Sequence, residues 1–171
     1  GASSSVKDYE FNVTGDMTIR AVYSVEDCRN IYAAKATGSN AFTATKGTWG
    51  KSSESSGPSP GGATFDGDTY NYSVKLQSSG FFTLTPDDDG ENKFQAGDKL
   101  TVITYASGKN KTHGFKLHST GGNGVSETST DYFYKSIYTL KEEDIESNGT
   151  IKIYRVSSDA AYAKFTVERC D

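Results

Sequence analysis

FFTLTPDDDGENKFQAGDKLTVITY, residues Phe81–Tyr105, decides the fold class. Phe81-Phe82-Thr83-Leu84-Thr85 is aromatic and β-branched, the residue types that suit a pleated, half-buried surface. Pro86 ends that run because it brings no ladder donor. Asp87-Asp88-Asp89-Gly90 supplies turn chemistry, and Gly97-Asp98 punctuates the chain again. Lys99–Tyr105 (KLTVITY) is then the strongest β-run in the sequence. The stretch predicts strand, acidic turn, polar connection and strand, and such strands need partners on both sides.

The chain supplies them. Upstream, Arg29–Ala33 and Phe42–Thr45 read as short strands, and the Gly-, Ser- and Pro-rich segment Lys46–Gly62 between strands reads as a loop. Ala63-Thr64-Phe65, the turn Asp66-Gly67-Asp68 and Thr69–Leu76 predict a hairpin, with Tyr70, Tyr72, Val74 and Leu76 on one face. Gln77–Gly80 is expected to turn into the opening stretch. Downstream, Gly114–Ser119 predicts a strand, Thr120–Thr130 a Gly-rich loop, and Asp131–Leu140 the most aromatic strand. Lys141–Ile145 fits one helical turn capped by Thr139. Ile151–Val156 and Tyr162–Cys170 close the pattern. About ten short strands with almost no helix predict an all-β fold, a two-sheet antiparallel β-sandwich or jelly roll.

Composition agrees. The 171 residues include 18 Gly, 11 Tyr and 9 Phe but one Met, which disfavours helix and fits strands with one polar face. A chain this long buries roughly two-thirds of its unfolded surface, enough for a core. No run approaches the roughly 20 apolar residues of a membrane span, so no membrane insertion is expected. Net charge is −4 and the lysines are scattered, which argues against nucleic acid and for a neutral or weakly charged ligand. No signal peptide is visible, and Gly1–Ser5 (GASSS) reads as an expression scar or linker.

Cys28 and Cys170 bracket nearly the whole module. Paired, they would tie its first strand to its last; unpaired, they would be buried thiols of an intracellular protein. The Tyr-, Thr-, Asn- and Gly-rich composition favours the bridge and a secreted or cell-surface location.

Two resemblances follow. VKDYEFNVTGDMTIRAVYS (residues 6–24) resembles the closing strands of the small Listeria–Bacteroides surface repeats; its other reading is an N-terminal hairpin of the main sandwich. Residues 1–24 are accordingly set apart from a module at 25–171. Within that module three segments resemble jelly-roll, carbohydrate-binding-like modules of secreted glycan-degrading proteins of gut and rumen bacteria. They are TFDGDTYNYSVKLQSSGFFTLTP (Thr64–Pro86), KFQAGDKLTVITY (Lys93–Tyr105) and GTIKIYRVSSDAAYAKFTVERC (Gly149–Cys170). The resemblance implies a sandwich fold and a non-catalytic module tethered in a larger glycan-active protein.

The residues themselves point the same way. Glycosidase chemistry needs two opposed carboxylates in a cleft, whereas the acids here gather in turns. His113 and His118 are five apart, an odd spacing that places them on opposite faces of a strand. Asp87, Asp89 and Glu91 crowd one turn; a structural calcium is one reading, a solvated hairpin tip the other. No other cofactor is expected. Aromatic rings are the better lead, since sugars stack their apolar faces on them. Trp49 is the only tryptophan. Tyr132, Tyr134 and Tyr138 share one strand face, which Tyr70 and Tyr72 would extend; the alternative is that these tyrosines line the core and Lys135 faces outward. Asp131, Asn123 and Lys109 in adjoining loops are candidate partners for sugar hydroxyls. The expectation is therefore a monomeric carbohydrate-binding module for a polysaccharide or oligosaccharide. A structural spacer or protein-adhesion module without a sugar site is the alternative.

Overall fold

The computed structural model describes residues 15–16, 27–118, 121–123 and 125–171, excepting the side chains of 118 and 121–129. Apart from Gly15 and Asp16, residues 6–24, and with them both readings of that segment, lie outside the described residues. The chain is an all-β, antiparallel, sandwich-like fold. Its strands are β1 (Cys28–Gly38), β2 (Ala41–Lys46), β3 (Thr48–Ser56), β4 (Ala63–Phe65), β5 (Asp68–Tyr70), β6 (Val74–Thr85) and β7 (Lys99–Tyr105). They continue with β8 (Phe115–His118), β9 (Gly121–Asn123), β10 (Val125–Ser129), β11 (Phe133–Thr139), β12 (Ile151–Arg155) and β13 (Ala161–Cys170).

Two layers follow from the pairing. One runs β10-β11-β7-β13-β1-β2, the other β3-β6-β12-β8-β9, and they share a single ladder pair, Tyr162 with Val74. Alternation along β7 shows how the sequence builds the core. Leu100 and Val102 face the opposite layer and pack with Phe82, Leu84, Ile151, Ile153, Phe165 and Val167. Ile103 points the other way, into a second cluster with Phe65, Tyr70, Phe133 and Ala163. That cluster exists because the β4–β5 hairpin folds over the outer face of the first layer. Its turn residues Asp66 and Gly67 both have positive φ, 49° and 76°, as a tight two-residue hairpin turn requires.

The chain crosses between layers at Gly47. Its φ is +74°, and a Cβ there would lie 2.5 Å from both the Thr85 carbonyl oxygen and Tyr32 Cδ2. Only glycine fits such a corner.

Several sequence expectations are corrected. Lys46–Gly62 is not all loop, because Thr48–Ser56 pairs along β6 as an edge strand, where weak β-formers are tolerated. Gln77–Gly80 does not turn; β6 runs on through it for 12 residues. Gly80 instead lets the carbonyls of Ser52 and Ser53 close over the strand at a β-bulge. Tyr70, Tyr72, Val74 and Leu76 do not share a face, because the chain leaves the ladder at 71–73, where Ser73 Oγ donates to the Pro58 carbonyl (2.5 Å). Part of the expected loop at Thr120–Thr130 forms β9 and β10. The helical turn is a 3-10 turn at Glu142–Asp144, capped at Lys141 rather than Thr139, with the Lys141 N–H donating to Asp144 Oδ2 (2.8 Å).

Cys28 and Cys170 are bonded, as ladder partners on β1 and β13. Beside them, Arg169 donates from Nε and Nη2 to the two carboxylate oxygens of Asp98 (2.8 Å each), and Asp98 is 1% exposed. The same guanidinium donates to the carbonyls of Glu91 (2.7 Å) and Lys93 (2.6 Å), binding the 86–98 loop to the last strand.

Candidate functional site

At the end of the sandwich opposite the disulfide, register brings several loops together. β7 ends at Tyr105 beside the start of β11 (Phe133) and of β13 (Ala161), and Tyr162 at that start pairs with Val74, the first residue of β6. β12 ends at Arg155 beside Phe115, the start of β8. The connections 71–73, 106–114, 130–132 and 156–160 therefore share this end. They carry all the exposed large hydrophobic residues among the described ones: Tyr72 (43%), Tyr132 (39%) and Val156 (37%).

A cleft of about 260 Å³ opens there, lined by Asn110, Lys111, Thr130, Asp131 and Tyr134. Its walls are held from the backbone up. The Ala106 N–H donates to the Tyr132 carbonyl (2.9 Å), and Thr130 Oγ1 accepts from the Phe133 N–H (3.1 Å). Asn110 takes a left-handed φ of 56°, which asparagine tolerates. Lys109 reaches Asp131 (2.8 Å), and that hydrogen bond holds the amine above its ordinary pKa.

Behind the cleft, His113 stacks on Tyr134 with ring centroids 4.4 Å apart, and its Nδ1 lies 2.8 Å from Thr104 Oγ1. Burial pushes His113 below the ordinary histidine pKa, against a weaker opposing pull from Asp159. Its Nε2 is buried without a hydrogen-bond partner among the described residues. Tyr162 ties this end together by donating its hydroxyl to the Gly114 carbonyl (2.9 Å).

The structure thus gathers Tyr72, Tyr132, Tyr134, Asp131 and Lys109 of the sequence-derived set at one end. It separates Tyr70, Tyr138 and Trp49 from them. Tyr70, the last residue of β5, is 1% exposed, its ring on the buried side of its own hairpin and tilted against Phe133, and it offers no ring to solvent. Tyr138 lies at the other end of β11, packed on the core and edge-on to Phe115. Trp49 is half-buried at that far end, edge-on to Phe42 and paired in the ladder with Leu84. The aromatic strand therefore turns Tyr138 inward while Lys135 and Ile137 line the outer face. Asn123 is in β9, paired with Lys116 next to the start of β8, and its side chain lies outside the described residues.

The acidic turn is engaged within the fold. Asp87 Oδ1 accepts from the Gly47 N–H (3.1 Å), Asp89 accepts from Asn92 N (3.1 Å) and Nδ2 (2.7 Å), and the Glu91 carbonyl accepts from Arg29 (2.9 Å). Among the described residues no three His, Cys, Asp or Glu side chains are grouped to hold a metal ion. Asn110, Lys111 and Thr130 escaped the sequence reading, and His113 entered it only as a pair with His118 on opposite strand faces. Ser107–Lys111 (SGKNK) is plainly polar in the sequence, but nothing in it shows that it faces Tyr134.

Chemically, the cleft presents amine, amide and hydroxyl donors, a carboxylate acceptor, and rings with polar tips. Comparison with known proteins finds no family model, no curated protein and no solved structure that matches the chain significantly.

Proposed function

We propose that this is a non-catalytic carbohydrate-binding module of a larger secreted or surface protein, taking its glycan at the loop end that carries Tyr72, Tyr132 and Tyr134. The convergence of the exposed rings beside a polar cleft carries the reading. Rings and hydrogen-bonding groups side by side match the apolar faces and hydroxyl rims of a sugar. At about 260 Å³ the cleft is just below the range of about 300–1,000 Å³ usual for small-ligand sites, which suits one ring of a longer chain. The disulfide accords with an oxidising, extracellular compartment. Among the described residues no helix is long and apolar enough to cross a membrane.

Affinity electrophoresis through gels containing plant, host and microbial polysaccharides tests this. Retardation by at least one glycan is expected, weakened at least tenfold by Tyr132→Ala or Asp131→Ala with the melting temperature unchanged. Free migration through every gel would sink the proposal. It would favour a spacer or adhesion module, to which the clamp joining first and last strands is equally suited.

A further inference from the structure

The outer face of the first layer carries a trough unrelated to the loop end. Register lines up Ile137, Thr101, Thr166 and Ala33 as neighbours across β11, β7, β13 and β1. These short side chains form a floor between two banks of longer ones. On one bank, Lys135, Lys164 and Lys35 stand in the adjacent cross-strand row. On the other are Glu168 and Asn30. Two contiguous depressions, of about 220 and 260 Å³, share Asn30, Lys164 and Thr166 and extend the trough as far as Thr43 on β2. Five strands at roughly 4.8 Å spacing make it about 19 Å long.

Its chemistry selects an occupant. The lysines are already paired: Lys135 with Asp66 (2.9 Å), and Lys35 and Lys164 with Asp68 (2.8 and 3.2 Å). They therefore offer fixed N–H donors with little net charge, a poor match for a polyanion. The opposite bank offers the Glu168 carboxylate as acceptor and the Asn30 amide as donor and acceptor, with the Lys99 amine beside Glu168 in the same row. The floor strands β11, β7, β13 and β1 are each paired on both sides, so the floor itself has no open ladder edge for a peptide strand; the layer's open edge at the end of the trough is β2. A ligand that both donates and accepts along its length, is uncharged and is narrow fits this arrangement, and hydroxyl groups do both.

We infer that this trough is a second binding site, for an extended neutral polysaccharide chain lying across the strands. The inference rests on the glycan-binding reading but names a different face. The test is affinity electrophoresis of the full chain in gels of mixed-linkage β-glucan and of galactomannan, with polygalacturonate as the anionic arm. Thr166→Tyr fills the floor; Asn30→Ala removes an exposed bank residue and decides the matter if the first variant does not fold. The trough variants should weaken apparent affinity for a neutral polymer at least tenfold and several-fold respectively, while Tyr132→Ala leaves part of the retardation in place. Wild-type migration of both trough variants, with retardation abolished by Tyr132→Ala, would overturn the trough and leave the loop-end site standing. Retention by polygalacturonate alone, lost on adding salt, would also overturn it. Free migration of the wild type in all gels would remove both readings.

Discussion

Replacing Asp98 by alanine tests the account of what closes the sandwich at its disulfide end. Asp98 is 1% exposed and accepts from Arg169 Nε, Arg169 Nη2 and the Gln95 N–H at 2.8, 2.8 and 2.9 Å. Removing one partner of a buried ion pair costs about 3–5 kcal/mol, because the remaining charge loses its compensation. The Arg169 side chain keeps 13% of its surface in solvent and two backbone carbonyl partners, which places the expected loss at the lower end, about 3 kcal/mol. For a chain of this size each kcal/mol shifts Tm by about 2–4 °C, so Tm should fall by about 6–12 °C. Urea unfolding of the oxidised protein gives the free energy, and a double-mutant cycle with Arg169→Ala isolates the pair. Asp98→Ala within about 1 kcal/mol of wild type, or a coupling energy near zero, would refute the reasoning.

Gly47→Ala combines a left-handed backbone with a Cβ driven into Thr85 and Tyr32; a loss of at least about 2 kcal/mol is expected in the same urea assay. The disulfide closes a separation of 142 residues, for which the chain-entropy model gives about 5 kcal/mol as an upper figure. The Cys28→Ser/Cys170→Ser protein should therefore be clearly less stable than the oxidised chain but identical in the presence and absence of reductant. At Asp68, burial alone would raise the carboxyl, but hydrogen bonds from Lys35, the Thr69 N–H and Lys164 outweigh it and hold the pKa at about 2. A depressed folded-state pKa contributes stability above the unfolded value of about 3.9 and loses it as pH falls toward 2. The shift is worth roughly 2–3 kcal/mol, nearer about 1 after screening at a side chain one-third exposed. Asp68→Asn should accordingly flatten the stability profile between pH 4 and 2 and leave its slope between pH 6 and 8 unchanged. A histidine proton resonance of His113 should titrate with a midpoint below about 6.5, since burial disfavours its cation; a midpoint above that value contradicts the packing against Tyr134.

The opening stretch was legible because local chemistry and tertiary fate agree there. Phe82, Leu84, Leu100 and Val102 alternate in the sequence and all reach the core. The Asp66-Gly67 turn was legible for the same reason. β3 was not, since Lys51, Ser52 and Glu54 are in a ladder only because β6 lies beside them. Sequence carries no direct sign of a cross-strand partner 30 residues away. Gly80 misled in a related way, because a glycine that permits close backbone approach reads like one that permits a turn. The tyrosines were visible as residues but not as a surface. Tyr70 and Tyr72 alternate in the chain, yet the break at 71–73 leaves one on the buried side of the β4–β5 hairpin and the other in solvent. Only the register shows which loops meet.

The clamp between the first and last strands also has a mechanical meaning. Cys28 and Cys170 are ladder neighbours, and just outside them the Asp171 N–H donates to the Asp27 carbonyl (3.3 Å). A tension applied at Asp27 and Asp171 passes through one covalent bond and bypasses every strand between. With the bridge intact the module yields almost no length under load. Reduced, the same 142-residue separation could pay out to about 480 Å of extended chain. The rings at the opposite end would stay assembled on a pulled, oxidised chain, out of the line of force.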